Sequence, residues 1–133
     1  MALVLPLFLT LVLGHLESTR LGMTSQLLNA SARDASRLAV LNGTTSNTAV
    51  LGRINASLVG SGIKFTTLTT YSSAVPLDPG AYISPPNWAT SPNGTPITVL
   101  LRVRFSDVSW VPTPMFLKTA RITASITMAS ERP

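Results

Sequence analysis

The sequence predicts an α+β fold, a long N-terminal helix packed on a small antiparallel β-sheet, and three stretches carry that prediction. From Met1 to Gly14 the only polar side chain is Thr10, and beyond it Leu28, Ala32, Ala35 and Ala39 recur at helical spacing. Ile97, Val99, Leu101, Val103 and Phe105 alternate with Thr98, Leu100, Arg102 and Arg104, the period of a strand with one buried face. Ile122, Ala124, Ile126 and Met128 alternate in the same way with Thr123, Ser125, Thr127 and Ala129. A sheet built from such strands buries its apolar face against the rear of the helix.

The helix is expected over residues 1–41, with an apolar, membrane-embedded front (1–16) and an amphipathic rear (17–41). His15, Glu17 and Arg20 arrive within two turns and close the apolar run, while Arg33, Asp34 and Arg37 lie on a side away from the alanine stripe. Met1 to Gly14 at ~1.5 Å per residue gives about 21 Å, short of the roughly 30 Å of hydrocarbon that a full span crosses. The front therefore reads as the tail end of a spanning helix. A cleaved secretory signal is the alternative, since Val12-Leu13-Gly14 offers small residues at a plausible spacing, although no Lys or Arg precedes the apolar run. On that alternative the mature chain is a secreted, soluble β-rich binding module.

The order of three short motifs brings a family into view. Ala2-Leu3-Val4-Leu5-Pro6, then Gly14-His15-Leu16-Glu17-Ser18-Thr19-Arg20, then Asn29-Ala30-Ser31-Ala32-Arg33-Asp34-Ala35-Ser36-Arg37 resembles the opening of TadE-like proteins of the Tad (Flp) pilus assembly system. The resemblance implies a pilin-like subunit: a minor pseudopilin in the inner membrane, single-pass, with its C-terminal domain extracytoplasmic. It also implies other pilus assembly proteins and membrane lipid as partners. The chain departs from the family in two places. Met1 stands where an aromatic usually follows a leader and its cleavage glycine, which leaves open whether that leader lies upstream or has been lost. His15 replaces a usual apolar residue.

Residues 42–133 are expected to form one small α+β domain, because roughly ninety residues make a single core. Asn42-Gly43 stops the helix, and Thr48 caps a second one carrying Val50, Leu51, Ile54 and Leu58, closed by Gly60-Ser61-Gly62. Ile63 to Tyr71, rich in Thr and β-branched residues, reads as a strand. Pro76, Pro79, Pro85, Pro86, Pro92 and Pro96 make residues 72–96 a long irregular connection with a turn at Asn93-Gly94. Tyr82 and Trp88 in that loop, and Trp110 in a second aromatic-proline loop, are candidate partner contacts, because aromatics give large contact area at low entropic cost.

Composition argues against chemistry. Ten basic and five acidic residues give a net charge of +5, but the cations are scattered singly, with no run to lie along phosphates, so nucleic acid is not expected as a partner. There is no cysteine and one histidine, and the five acids are dispersed, so no catalytic residue, metal site, cofactor or small-molecule substrate is assigned. The charged pair singled out is Glu17 and Arg20, three apart on the helix and placed at the membrane boundary. Such a pair contributes ~0.2 to 0.5 kcal/mol in water, whereas an unpaired charge in hydrocarbon costs about 2.5 to 3.5 kcal/mol.

Overall fold

A computed structural model describes residues 2–41, 43, 46–108 and 120–131. The first helix, α1, runs from Val4 to Val40 as one element. Its rear face meets the sheet on the expected stripe: Leu28, Ala32, Ala35 and Ala39 are each fully buried. Small side chains on this face let the helix axis sit close to the strands, since interaxial distance follows side-chain size. The two serines beside the stripe both find carbonyl acceptors, one within the helix and one outside it. Ser36 Oγ donates to the Ala32 carbonyl at 2.7 Å, and Ser31 Oγ donates to the Ile54 carbonyl at 3.3 Å. Leu41 leaves the helix in an extended conformation, and Gly43 follows at φ +97, where a side chain is strained.

The second helix, α2 (Asn47–Ser57), starts slightly before the position read from Thr48, because Ser46 supplies the cap. Its hydroxyl accepts from the backbone N–H of Thr48 at 3.1 Å and of Ala49 at 3.4 Å. Val50, Ile54 and Leu58 then point into the core as expected, and Leu51 packs at its margin.

The strand expected from Ile63 to Tyr71 is shorter, β1 covering only Leu68–Thr70. The preceding residues bury Ile63 and Phe65 without forming a strand, and Phe65 pairs with a side chain instead. Asn55 on α2 donates Nδ2 to the Phe65 carbonyl at 2.8 Å and accepts the Phe65 N–H on Oδ1 at 3.0 Å. One amide thus takes both backbone groups that a neighbouring strand would use. Asn55→Ala leaves that pair of backbone groups without these partners, and the expected cost is about 1 to 3 kcal/mol, read as a lowered urea midpoint with an unchanged slope.

The long connection over 72–96 is more ordered than its prolines suggest, for it contains β2 (Gly80–Ser84) and a short 3-10 turn at Trp88–Thr90. The sheet is completed by β3 (Pro96–Arg104) and β4 (Arg121–Ala129), in the order β1-β2-β3-β4, with a four-residue helix α3 (Phe105–Val108) after β3. β3 runs antiparallel to both β2 and β4, with Ile83 opposite Val99 and Val99 opposite Ile126. The expectation of a purely antiparallel sheet is corrected at one edge, where β1 runs parallel to β2. The physical reason lies in residues 71–79. This segment returns the chain to the starting end of β1 without pairing as a strand, consistent with Pro76 and Pro79, and β2 begins only after it.

Ile97, Val99, Leu101 and Val103 fill the inner face of β3, and Ile122 and Ala124 do so on β4, with Ile126 and Met128 partly covered. Leu100, on the face expected to be wet, is also buried, between Tyr82 on β2 and Ser125 on β4. At the far end the chain closes on itself: Gly94, at φ +86 in the expected Asn93-Gly94 turn, donates to the Ser130 carbonyl. The Glu131 N–H donates to the Val40 carbonyl at 3.1 Å.

Candidate membrane anchor and its junction with the domain

The apolar front of α1 is bare of protein. Leu3 is 85% exposed, Leu7 71%, Phe8 60% and Leu11 69%. Stripping water from that much apolar surface is worth ~25 cal/mol per Å², so the front is a strong driver toward an apolar medium. Among the described residues, α1 is the one helix long and apolar enough to cross a membrane. The single polar side chain between Ala2 and Gly14 is satisfied in place, since Thr10 Oγ1 donates to the Pro6 carbonyl at 2.8 Å, the internal bonding that hydrocarbon demands.

Covering of the helix begins at Val12, Leu13 and Gly14, which are half-buried, and the first fully buried residue is Glu17, 1% exposed and one residue beyond Leu16 at 38%. Arg20, one turn on and half-buried, ties the helix to the domain through main-chain carbonyls. Its Nε donates to Val108 at the end of α3, and its Nη2 donates to Ser61 after α2 at 3.2 Å. Sequence reasoning set this residue beside Glu17 at a lipid boundary. The structure adds a role as a strut between three elements, which no local spacing signals because the partners lie 41 and 88 residues away. His15 is exposed, and its carbonyl accepts from Thr19 Oγ1 at 2.9 Å.

The three aromatic candidates fare differently. Trp88 is corrected from surface contact to core: it is 1% exposed, and its indole N–H donates to Asn47 Oδ1 at 2.8 Å. Asn47 is exposed at the start of α2 and also donates to the Leu68 carbonyl at 3.3 Å, so one amide joins α2, β1 and the Trp88 turn. Tyr82 is half-buried on the outer face of the sheet. Its hydroxyl donates to the Asp78 carbonyl at 3.0 Å, and its ring meets Tyr71 edge-on with centroids 6.3 Å apart. Burial pushes the Tyr71 hydroxyl above its ordinary pKa. Trp110 lies outside the described residues.

Arg33 and Arg37 stand exposed on α1 beside Asp34, whose carboxylate accepts from Ser57 Oγ at 3.3 Å, in an open groove shared with Gln26, Asn29 and Ala30. Among the described residues no three His, Asp or Glu side chains are grouped to hold a metal ion.

The model of the family described as TadE-like protein matches residues 1–37, and so covers the apolar front and most of the buried stripe of α1. The resemblance read from the opening motifs therefore holds for the helix. No curated protein and no solved structure shows a significant match to the chain.

Proposed function

We propose that this chain is a minor pseudopilin of a Tad/Flp pilus or a related secretion system, a component that works by packing and not by catalysis. The observation that carries this reading is the exposure of α1: an apolar front bare of protein continues without a break into a rear that forms the core of the domain. The family match over residues 1–37 supports the same assignment. The front holds the protein in the inner membrane as a single pass, Glu17 and Arg20 mark where the helix leaves lipid, and the domain stands outside the cytoplasm. Its contacts are lipid and other pilus assembly proteins, met through surfaces that include Tyr82 and the Arg33–Arg37 face.

The deciding experiment recovers the native protein from separated membrane and soluble fractions and reads its N-terminus by mass spectrometry. The expected result is a membrane-bound form released by detergent and not by salt, cross-linked to other assembly proteins, in cells that lose their pili when the chain is deleted. A soluble form beginning at His15 would instead establish the secreted binding module.

A further inference from the structure

At the end of the sheet nearest the apolar front, two arginines confront each other. Arg104 and Arg121 are Cα partners across β3 and β4, and both are exposed on the face turned away from α1. Like charges directly opposite destabilise a strand pair unless something neutralises them. Arg121 donates to the Leu77 carbonyl, and Arg102 donates to the Pro76 carbonyl at 2.6 Å, so the loop before β2 is strapped to the same face. The strap holds Leu77 70% exposed and Val75 54% exposed beside the guanidinium groups. The nearby exposed acids, Asp78 and Asp107, are outnumbered by the exposed cations Lys64, Arg104 and Arg121. Cations interleaved with apolar tips suit a layer of anionic headgroups over hydrocarbon.

The position fits as well. Ser36 Oγ reaches the Ile126 carbonyl at 3.4 Å, which sets β4 against α1. From Ile126 down to Arg121 at ~3.3 Å per residue is about 17 Å, which brings Arg121 level with roughly residue 25 of α1. That level lies ~14 Å from Leu16, measured at ~1.5 Å per residue. Membrane helices tilt by about 20° on average, which lowers a group ~15 Å from the axis by ~5 Å. An arginine side chain reaches ~6 Å further, into the headgroup layer that flanks the ~30 Å hydrocarbon core.

We propose that the Arg104–Arg121 pair and the Leu77 loop rest on the anionic phosphate headgroups of the bilayer that holds α1, with the helix tilted toward its sheet side. This inference rests on the anchor reading above, and the test separates the two. The chain has no cysteine, so Leu77→Cys, Asn93→Cys at the far end and Leu7→Cys in the front each carry a single fluorophore. The full-length protein is reconstituted in phosphatidylcholine vesicles with and without phosphatidylglycerol, and quenching is read with acyl-chain and headgroup nitroxide lipids. The expected result is acyl-chain quenching at position 7 in both lipids, and headgroup quenching at 77 well above that at 93 when phosphatidylglycerol is present. In the R104Q/R121Q background, confirmed folded by circular dichroism, the docked-to-free ratio falls about fivefold for each arginine removed. Quenching at 77 no greater than at 93, with position 7 still quenched, overturns the docking and leaves the anchor standing. Quenching at 77 that is unchanged in the double variant also overturns it, and an unquenched position 7 removes both readings.

Discussion

Trp88→Ala is expected to lower stability by about 3 to 5 kcal/mol, the range for deleting a fully buried large aromatic, and so to consume much of the ~5 to 15 kcal/mol that a domain possesses. Two losses add. The ring is enclosed at 1% exposure, and a proline-flanked turn following β2 is poorly placed to collapse into the space it leaves. Asn47 Oδ1 also loses the indole donor at 2.8 Å, loosening the junction that joins the start of α2 to the Leu68 carbonyl. Thermal unfolding followed by far-ultraviolet circular dichroism checks this. A midpoint within a few degrees of the parent would mean that the tryptophan is not a core element. The conservative Trp88→Phe keeps most of the volume but not the donor, so comparing the two variants divides packing from hydrogen bonding.

Leu9→Arg should act at the other end of the molecule and leave the fold alone. Leu9 is 50% exposed and, among the described residues, stands outside the core cluster, so the change removes no core contact. In lipid the same substitution costs about 2.5 to 3.5 kcal/mol for the charge, together with the lost leucine, which predicts a fall in membrane retention of roughly two to three orders of magnitude. The measurement is the share of full-length protein that floats with vesicles in a density gradient, alongside the unfolding midpoint of the domain. Retention unchanged at equal midpoint would show that the bare front does not hold the chain in the bilayer.

What the sequence made legible was the set of surfaces defined by periodicity. The stripe Leu28, Ala32, Ala35 and Ala39 had to be buried whatever covered it, because a 3.6-residue period puts those side chains on one face. The alternations of β3 and β4 declared their inner faces by the same logic. Features set by pairing between distant residues stayed hidden. Residues 63–67 have the composition of a strand, but Asn55 takes the backbone of Phe65, and side-chain capture of this kind leaves no period to read. β2 is short and lies between prolines, although Ala81 and Ile83 alternating with Tyr82 and Ser84 was the signal available. Trp88 in a proline-rich stretch looked like a surface aromatic because its acceptor, Asn47, lies 41 residues earlier. At the junction, the local pair Glu17 and Arg20 was visible, while the carbonyls of Ser61 and Val108 were not.

The bond from the Glu131 N–H to the Val40 carbonyl, with Ser36 Oγ on the Ile126 carbonyl, lays β4 alongside α1 and closes the chain at the end opposite the anchor. This geometry has a mechanical consequence for a subunit held in a bilayer and gripped by neighbours further out. A pull along α1 loads the contact with β4 in shear over its whole length, so its bonds and packed side chains must yield together. The Arg20 strut shares that load at the near end. A strand peeled from its edge would give way one pair at a time; here the load is spread along the helix-strand contact and enters the sheet through β4 as a whole.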